Sequence, residues 1–337
     1  MRLRSSLWFV AAACLCLAII PSRAADTLPA ELSDAVYWKM ISDFSEPDGP
    51  FMYQVVTSNE TAYQMILPEL TKAVTSGGGY LGVGPEQNFT YIAALRPKIA
   101  FIIDVRRDMM LEHLMYKAVF EMSKDRADFV SNLFSRKRPA ELTESSSVQA
   151  LFKAYASVKA DPELAEKHLT DILARLKTTH KFALSDNDEK RIRLIYLLFF
   201  REGVVDFYSS IESPGYTNLM TATDLDGKNW SFLVSNENYD RVRAMQEKNL
   251  IVPLVGDFAG PKAIRMAGQY LRDHGAVVKV FYTSNVEDYI RHVWGDFTRN
   301  LASLPLDESS IFVRTSLRAN GFRPWLTSVS DFVAANR

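Results

Sequence analysis

Cysteine and the common catalytic motifs are what this sequence most clearly lacks. Its 337 residues include two cysteines, Cys14 and Cys16, both close to the N-terminus. Loss of that end would leave no disulfide, no thiol nucleophile and no cysteine metal ligand. The five histidines do not show the H-x-x-x-H or H-E-x-x-H spacing of zinc sites. The P-loop and the G-x-S-x-G nucleophile turn are also absent. We therefore predict no metal site and no nucleophile of these kinds.

An excess of charge of one sign is also missing. Lys and Arg number 39 and Asp and Glu number 40, which gives a formal net charge of -1. Because nucleic-acid binding rests on a basic surface that neutralises phosphates, we predict no nucleic-acid partner. Hydrophobic residues make up 47% and charged residues 23% of the chain. This balance is typical of globular proteins and argues against a disordered chain or a coiled coil.

The first 25 residues have the pattern of a secretory signal peptide. Two arginines precede an apolar run, Leu7–Ile20, and small residues follow Pro21 as far as Ala24 and Ala25. The run is shorter than the roughly 20 residues that span a bilayer. We predict a signal peptide over residues 1–25, cleavage near Ala24 or Ala25, a periplasmic or secreted protein, and no stable membrane span after processing. An uncleaved N-terminal anchor is the alternative.

Alternating apolar runs and helical patterns predict an α/β fold. Apolar stretches near residues 80, 100, 252, 279 and 312 have the character of buried parallel strands, and helical periodicity separates them. Residues 230–234 could form a strand or the approach to one, and Val36 is expected on the buried face of a first helix. We predict a doubly wound parallel sheet with a large helical insertion between strands 2 and 3. The predicted organisation is an N-terminal helical segment (26–75), two parts of the sheet domain (76–110 and 229–337) and the insertion (111–228).

Polar residues and glycines follow the predicted strands where ligands bind in open α/β sheets. Gly82 and Gly84 allow close approach of a ligand to the backbone before a helix start. Asp104 follows the next strand, where a carboxylate accepts ribose hydroxyl protons. Asp257 ends the third strand, near the expected position of an adenine amino group, and Asn285 follows the fourth. Together they predict a nucleoside-shaped site for a small-molecule ligand.

These segments resemble class I S-adenosylmethionine-dependent methyltransferases. The resemblance lies in Tyr80–Pro85, Asp104, Gly256–Phe258 and Phe281–Ile290. It implies a Rossmann-like fold with S-adenosylmethionine as cofactor. On that basis Gln87 is placed beside the methionine carboxylate of the cofactor.

Two functions stay open at this point. The first is methyl transfer from S-adenosylmethionine. The second is an exported binding or interaction protein that has kept the fold but not this chemistry. Glu86 would repel the methionine carboxylate, and an exported enzyme would lack this cytoplasmic metabolite. Gly82–Lys117 also resembles a bacterial family of exported proteins with no assigned activity.

The candidate residues also have purely structural interpretations. Asp104 could cap the following helix or pair with Arg106 or Arg107. Asp257 and Asn285 could be helix caps.

A histidine beside a carboxylate is a separate candidate for acid–base work. Glu112 and His113 are adjacent on a predicted helix. A structural histidine is the alternative.

Overall fold

The computed structural model describes residues 26–51, 56–202, 215–318 and 321–335. The predicted signal peptide, residues 1–25, lies outside them. Among the described residues, no helix is long and apolar enough to cross a membrane.

The strands are β1 (Gly79–Gly82), β2 (Ile99–Asp104), β3 (Ile251–Val255), β4 (Val278–Ser284), β5 (Ile311–Arg318) and β6 (Gly321–Ser328). The α-helices are α1 (Asp34–Phe44), α2 (Leu67–Ala73), α3 (Gln87–Leu95), α4 (Arg107–Met122), α5 (Arg126–Phe134), α6 (Val148–Ala156), α7 (Pro162–Ala174), α8 (Asp186–Glu202), α9 (Tyr216–Thr221), α10 (Asn236–Glu247), α11 (Ala263–Asp273), α12 (Trp294–Ala302) and α13 (Val329–Ala335). Short 3-10 turns cover Tyr63–Ile66, Val286–Asp288 and Arg291–Val293, and a π-helical turn, Arg175–Thr179, continues α7.

The described strands form one six-stranded, mostly parallel sheet in the order β3-β2-β1-β4-β5-β6. This confirms the α/β class. Every residue of β1, β2 and β3 is buried, as expected for parallel strands covered by helices on both faces. The sequence did not predict β6, which pairs antiparallel with β5. β6 is half-buried along its length and contains Pro324, which is tolerated on an edge strand.

Seven helices, α4 to α10, follow β2 and precede β3 in the described part of the chain. α4 packs against β2 and β3 on one side and against α8 and α10 on another. Its side chains are almost all buried, including polar ones. The helices between strands 2 and 3 therefore pack on the sheet itself through α4.

The segment at 230–234, for which the sequence allowed a strand or the approach to one, is not a strand. The backbone N–H of Trp230 donates to Gln64 Oε1 at 2.6 Å, and that of Phe232 donates to Thr90 Oγ1 at 3.2 Å. Because side chains take these backbone donors, the segment forms no strand ladder. It instead joins the N-terminal segment to α3.

The first helix is present, but its buried face is rotated from the predicted one. Val36 is 45% exposed, whereas Tyr37 and Ile41 are buried. The Tyr37 hydroxyl donates to the Ile251 carbonyl oxygen at 3.1 Å. α1 therefore covers the sheet next to β3, with a tyrosine carrying part of the contact.

Candidate functional site

The carboxyl ends of the parallel strands bring the predicted residues to one edge of the sheet. From β1 the sheet is built outward in one direction by β2 and β3 and in the opposite direction by β4, β5 and β6. The switch point therefore lies between β1 and β4, and ligands of open α/β sheets bind at such a point. The turn after β1 contains Gly82 and Gly84, and Gln87 begins α3. Asp104 ends β2. This edge is the candidate functional site.

The glycine turn is filled by a side chain of its own helix. Asn88 Nδ2 donates to the carbonyl oxygens of Val83, Gly84 and Pro85 at 2.9, 3.1 and 2.8 Å. A Cβ atom on Gly82 would lie 2.1 Å from Asn88 Oδ1. Gly84 has a φ of 79°, a left-handed conformation that favours glycine. The glycines thus allow close packing of Asn88 within the turn.

Gln87 crosses the switch point. Its Nε2 donates to the Tyr282 hydroxyl on β4 at 3.2 Å, and the side chain is buried. The Tyr282 hydroxyl donates in turn to Glu60 Oε1 at 2.8 Å. A chain of hydrogen bonds therefore bridges the crevice between β1 and β4.

Glu60, which the sequence analysis missed, is the acceptor at the centre of this network. It accepts from Tyr282, from the Ser284 hydroxyl, and from Thr315 Oγ1 on β5 at 2.9 Å. Burial raises the pKa of the Glu60 carboxyl, while the bonds from Ser284, Tyr282 and Thr315 act in the opposite direction. No spacing in the sequence predicts this role for Glu60, because a 3-10 turn and α2 separate it from β1 and it meets β4 and β5 only in the folded protein.

Two more buried carboxyls lie around the glycine turn. Glu86 Oε1 accepts from the Ser58 backbone at 3.2 Å, and its Oε2 has no partner among the described residues. Burial raises the pKa of Glu86 to about 8. Neither carboxyl oxygen of Glu112 has a partner in the described part of the chain. Burial, and then the charge of Glu86, raise the pKa of Glu112 well above its usual range.

His113 holds the same turn from the side of α4. Its Nε2 is 2.9 Å from the Gly84 carbonyl oxygen, to which it donates. Burial lowers the pKa of His113 to about 4, although the bond to Gly84 opposes this shift. A neutral His113 therefore ties α4 to the turn, and the structural interpretation of this histidine accounts for its contacts.

Asp104 is engaged by a neighbouring arginine. Its Oδ1 accepts from the Arg106 backbone at 3.0 Å and from Arg106 Nε at 3.1 Å, and its Oδ2 accepts from Nη2 at 3.3 Å. The ion pair with Arg106 is the structural alternative that the sequence offered. Both carboxylate oxygens that a ribose would need are already bonded within the chain.

The other two predicted residues make local contacts. Asp257 is exposed, and its Oδ1 accepts from the Ala259 backbone at 2.8 Å. Glu46, not Asp257, accepts from the backbone at the start of α11, at Lys262 and Ala263. Asn285 is half-buried and stands directly before a 3-10 turn. Asp257 and Asn285 thus lie at the expected edge, in the roles of turn residues.

An open cleft lies at the β5 side of the same edge. It measures about 380 Å³ and is lined by Glu287, Asp288, Arg291, Trp294, Arg314, Thr315, Ser316 and Trp325. Thr315 belongs to this cleft and also donates to Glu60. Within the described ranges, no group of three His, Cys, Asp or Glu side chains is arranged to hold a metal ion.

Comparison with known families gives one match over most of the chain. Residues 55–329 match the family described as a domain of unknown function, DUF7790. A search of curated proteins gives no match.

Proposed function

The chain belongs to the DUF7790 family, and for this member we propose an exported binding protein that keeps a Rossmann-like, methyltransferase-like fold without S-adenosylmethionine chemistry. The proposed ligand is a small molecule held at the carboxyl edge of the sheet, on the side of β4 and β5. The proposal concerns the fold, the location of the site, the ligand and the compartment, and each has its own support.

Strand order supports the Rossmann-like assignment. The order β3-β2-β1-β4-β5-β6 matches the order of the doubly wound dinucleotide-binding fold, with the last strand reversed. The switch point then falls between β1 and β4. A ligand of such a fold would enter beside the glycine turn.

The observation that carries the proposal is that the chain's own side chains occupy this entry. Asn88 fills the glycine turn, and Gln87 bonds across the switch point to Tyr282. An adenosyl ligand would have to displace both contacts. It would also have to compete with Arg106 for Asp104. Breaking these intramolecular bonds would offset part of the free energy that the ligand gains from its own contacts.

Charge at the turn points the same way. The buried Glu86 begins the helix that would face the methionine carboxylate of the cofactor. A cofactor carboxylate here would be buried beside two acids that burial keeps protonated, rather than beside a cation, and burying a charge without a counter-charge is unfavourable. The nearby Glu112 adds a second buried acid.

Methyl transfer is the second candidate, and the placement of Gly82, Gly84 and Asp104 at the ends of adjacent strands favours it. Methyl transfer depends mainly on alignment of the reactants and needs few catalytic side chains. The same binding measurement separates the two candidates.

A thermal shift tests the adenosyl site. A ligand present at 100 times its Kd stabilises a protein by about 2.7 kcal/mol. We expect no change in Tm with S-adenosylmethionine or S-adenosylhomocysteine at about 1 mM, which is far above a micromolar Kd. A rise of several degrees that disappears in Asp104→Ala would support the methyltransferase candidate instead.

Export rests on the N-terminal pattern of residues 1–25. We expect the protein from fractionated bacterial cells to appear in the periplasm or medium, with its N-terminus near Asp26. Mass spectrometry of the purified chain reads the N-terminus directly. A full-length chain in the cytoplasmic fraction would contradict export.

A further inference from the structure

The open cleft beside β5 combines two indole rings with fixed polar groups. Trp294 comes from α12 and Trp325 from β6, and both are half-buried. The volume of about 380 Å³ falls within the range of about 300–1,000 Å³ typical of small-molecule sites. The volume and the two indole rings are compatible with a small ligand.

The charges in the cleft are balanced pair by pair. Arg314 donates through Nε and Nη2 to the two carboxylate oxygens of Glu287, each at 2.5 Å. Arg291 Nη2 donates to Asp288 Oδ1 at 2.7 Å. The two acids and two arginines of the lining cancel, so the cleft has no surplus charge to attract a charged ligand. A neutral ligand can bond to both partners and leave the pairs intact.

The Arg314 guanidinium is held rigidly. It lies 4.9 Å from the ring centroid of Trp325 and 4.9 Å from that of Phe332, besides its two bonds to Glu287. Stacked and doubly bonded, it loses little further freedom when a ligand binds. Its remaining hydrogen-bonding capacity is fixed in direction.

Ser316 supplies a free polar atom at the wall. Its Oγ is buried and has no hydrogen-bond partner among the described residues. The neighbouring Thr315 is committed to Glu60, so it holds β5 against the end of β4. A buried hydroxyl without a partner is costly unless a ligand or water satisfies it.

We infer that this cleft binds a neutral saccharide, its ring lying against the indoles of Trp294 and Trp325. A sugar hydroxyl donates and accepts at once, so it can donate to Glu287 or Asp288 while it accepts from the paired arginine. The apolar C–H face of the ring packs on an aromatic side chain. This inference rests on the proposed function, since it names the ligand class of that binding protein.

Titration with neutral disaccharides tests the assignment. Maltose, cellobiose and diacetylchitobiose are added separately to the purified protein, and tryptophan fluorescence is followed. We expect saturable binding of at least one of them with a Kd of about 1 mM or tighter. Glucose 6-phosphate should bind at least tenfold more weakly than the best disaccharide, because the cleft has no surplus positive charge to offset the desolvation of a phosphate.

Substitutions locate the binding. Trp294→Ala and Trp325→Ala should each weaken binding at least about tenfold. Trp325→Phe keeps an aromatic face and should stay within about threefold, which guards against loss through misfolding. Trp230→Ala is the matched control, because that indole lies outside the cleft and donates to Asp224 at 2.7 Å. Far-ultraviolet circular dichroism confirms that each variant is folded.

The outcomes separate the two proposals. No saturable change with any disaccharide, or wild-type affinity in both Trp294→Ala and Trp325→Ala, would overturn the saccharide assignment and leave the proposed function standing. Binding of S-adenosylhomocysteine by the same sample would overturn the proposed function instead.

Discussion

Replacing Glu86 by glutamine is expected to make the free energy of unfolding fall less steeply as the pH rises from about 5 to about 8. Burial raises the pKa of Glu86 from 4.5 to about 8, so the folded protein keeps a proton that the unfolded chain releases. The resulting stabilisation is complete below about pH 4.5 and is lost as the pH rises toward 8. At about 1.4 kcal/mol per pKa unit, the upper limit of the loss is roughly 5 kcal/mol.

Urea unfolding at a series of pH values measures this effect. Wild-type stability should fall from pH 5 to pH 8, and Glu86→Gln should make that fall smaller, while Glu112 and Glu60, whose pKa values burial also raises, keep the rest of it. Glu141→Gln, a substitution of an exposed glutamate, is the matched control and should follow the wild type. If Glu86→Gln kept the full slope, Glu86 would not be a buried proton-holding group.

His113 shapes the acid side of the same profile with the opposite sign. Burial lowers its pKa from 6.5 to about 4, so its contribution is complete above pH 6.5 and is lost as the pH falls toward 4. The Glu86→Gln variant should therefore keep the loss of stability on the acid side and show a smaller loss on the alkaline side.

The substitution Gly82→Ala, which adds a single methyl group, is expected to destabilise the protein by about 3 kcal/mol or more. The new Cβ would lie 2.1 Å from Asn88 Oδ1 and 2.7 Å from a ring carbon of Tyr80. Asn88→Ala should also cost about 2–4 kcal/mol, because three backbone carbonyls and the Tyr80 hydroxyl lose a bond at once. Both effects are read from urea unfolding of the variants.

The double variant shows whether Asn88 is the obstacle. With Asn88 reduced to alanine, Gly82→Ala should cost at least about 1 kcal/mol less than in the wild type. Gly295→Ala is the control, since the nearest atom to its Cβ would be a flexible arginine nitrogen at 3.4 Å. A neutral effect of Gly82→Ala would mean that the turn has room, as an adenosyl site requires.

Strands β1 to β5 were predictable because each contains an apolar run in the sequence. β2 is buried throughout, and the run over Ile99–Ile103 marked it. β6 escaped because an edge strand needs neither continuous apolarity nor strict alternation, and Pro324 argues against a strand. At 230–234 the apolar pattern allowed a strand, but side chains accept the hydrogen bonds from the backbone N–H groups of Trp230 and Phe232 that a strand pairing would need.

The sequence predicted where the candidate site lies, but not whether its side chains are already bonded to other residues of the chain. Parallel strand ends meet at one edge, so Gly82 and Asp104 come together there. Whether a carboxylate is free or paired depends on side-chain packing, and the Arg106 ion pair was only one of several alternatives in the sequence. Glu60 lies far from its partners Tyr282 and Thr315 along the chain, and no local spacing connects them.

Calorimetric titration of the purified protein with S-adenosylhomocysteine tests the central claim most directly. A folded sample should give no heat beyond dilution at ligand concentrations up to about 1 mM. That result would agree with a glycine turn already filled by Asn88 and a crevice bridged by Gln87 and Tyr282. Saturable binding with a micromolar Kd would contradict the claim and restore the methyltransferase as the better account.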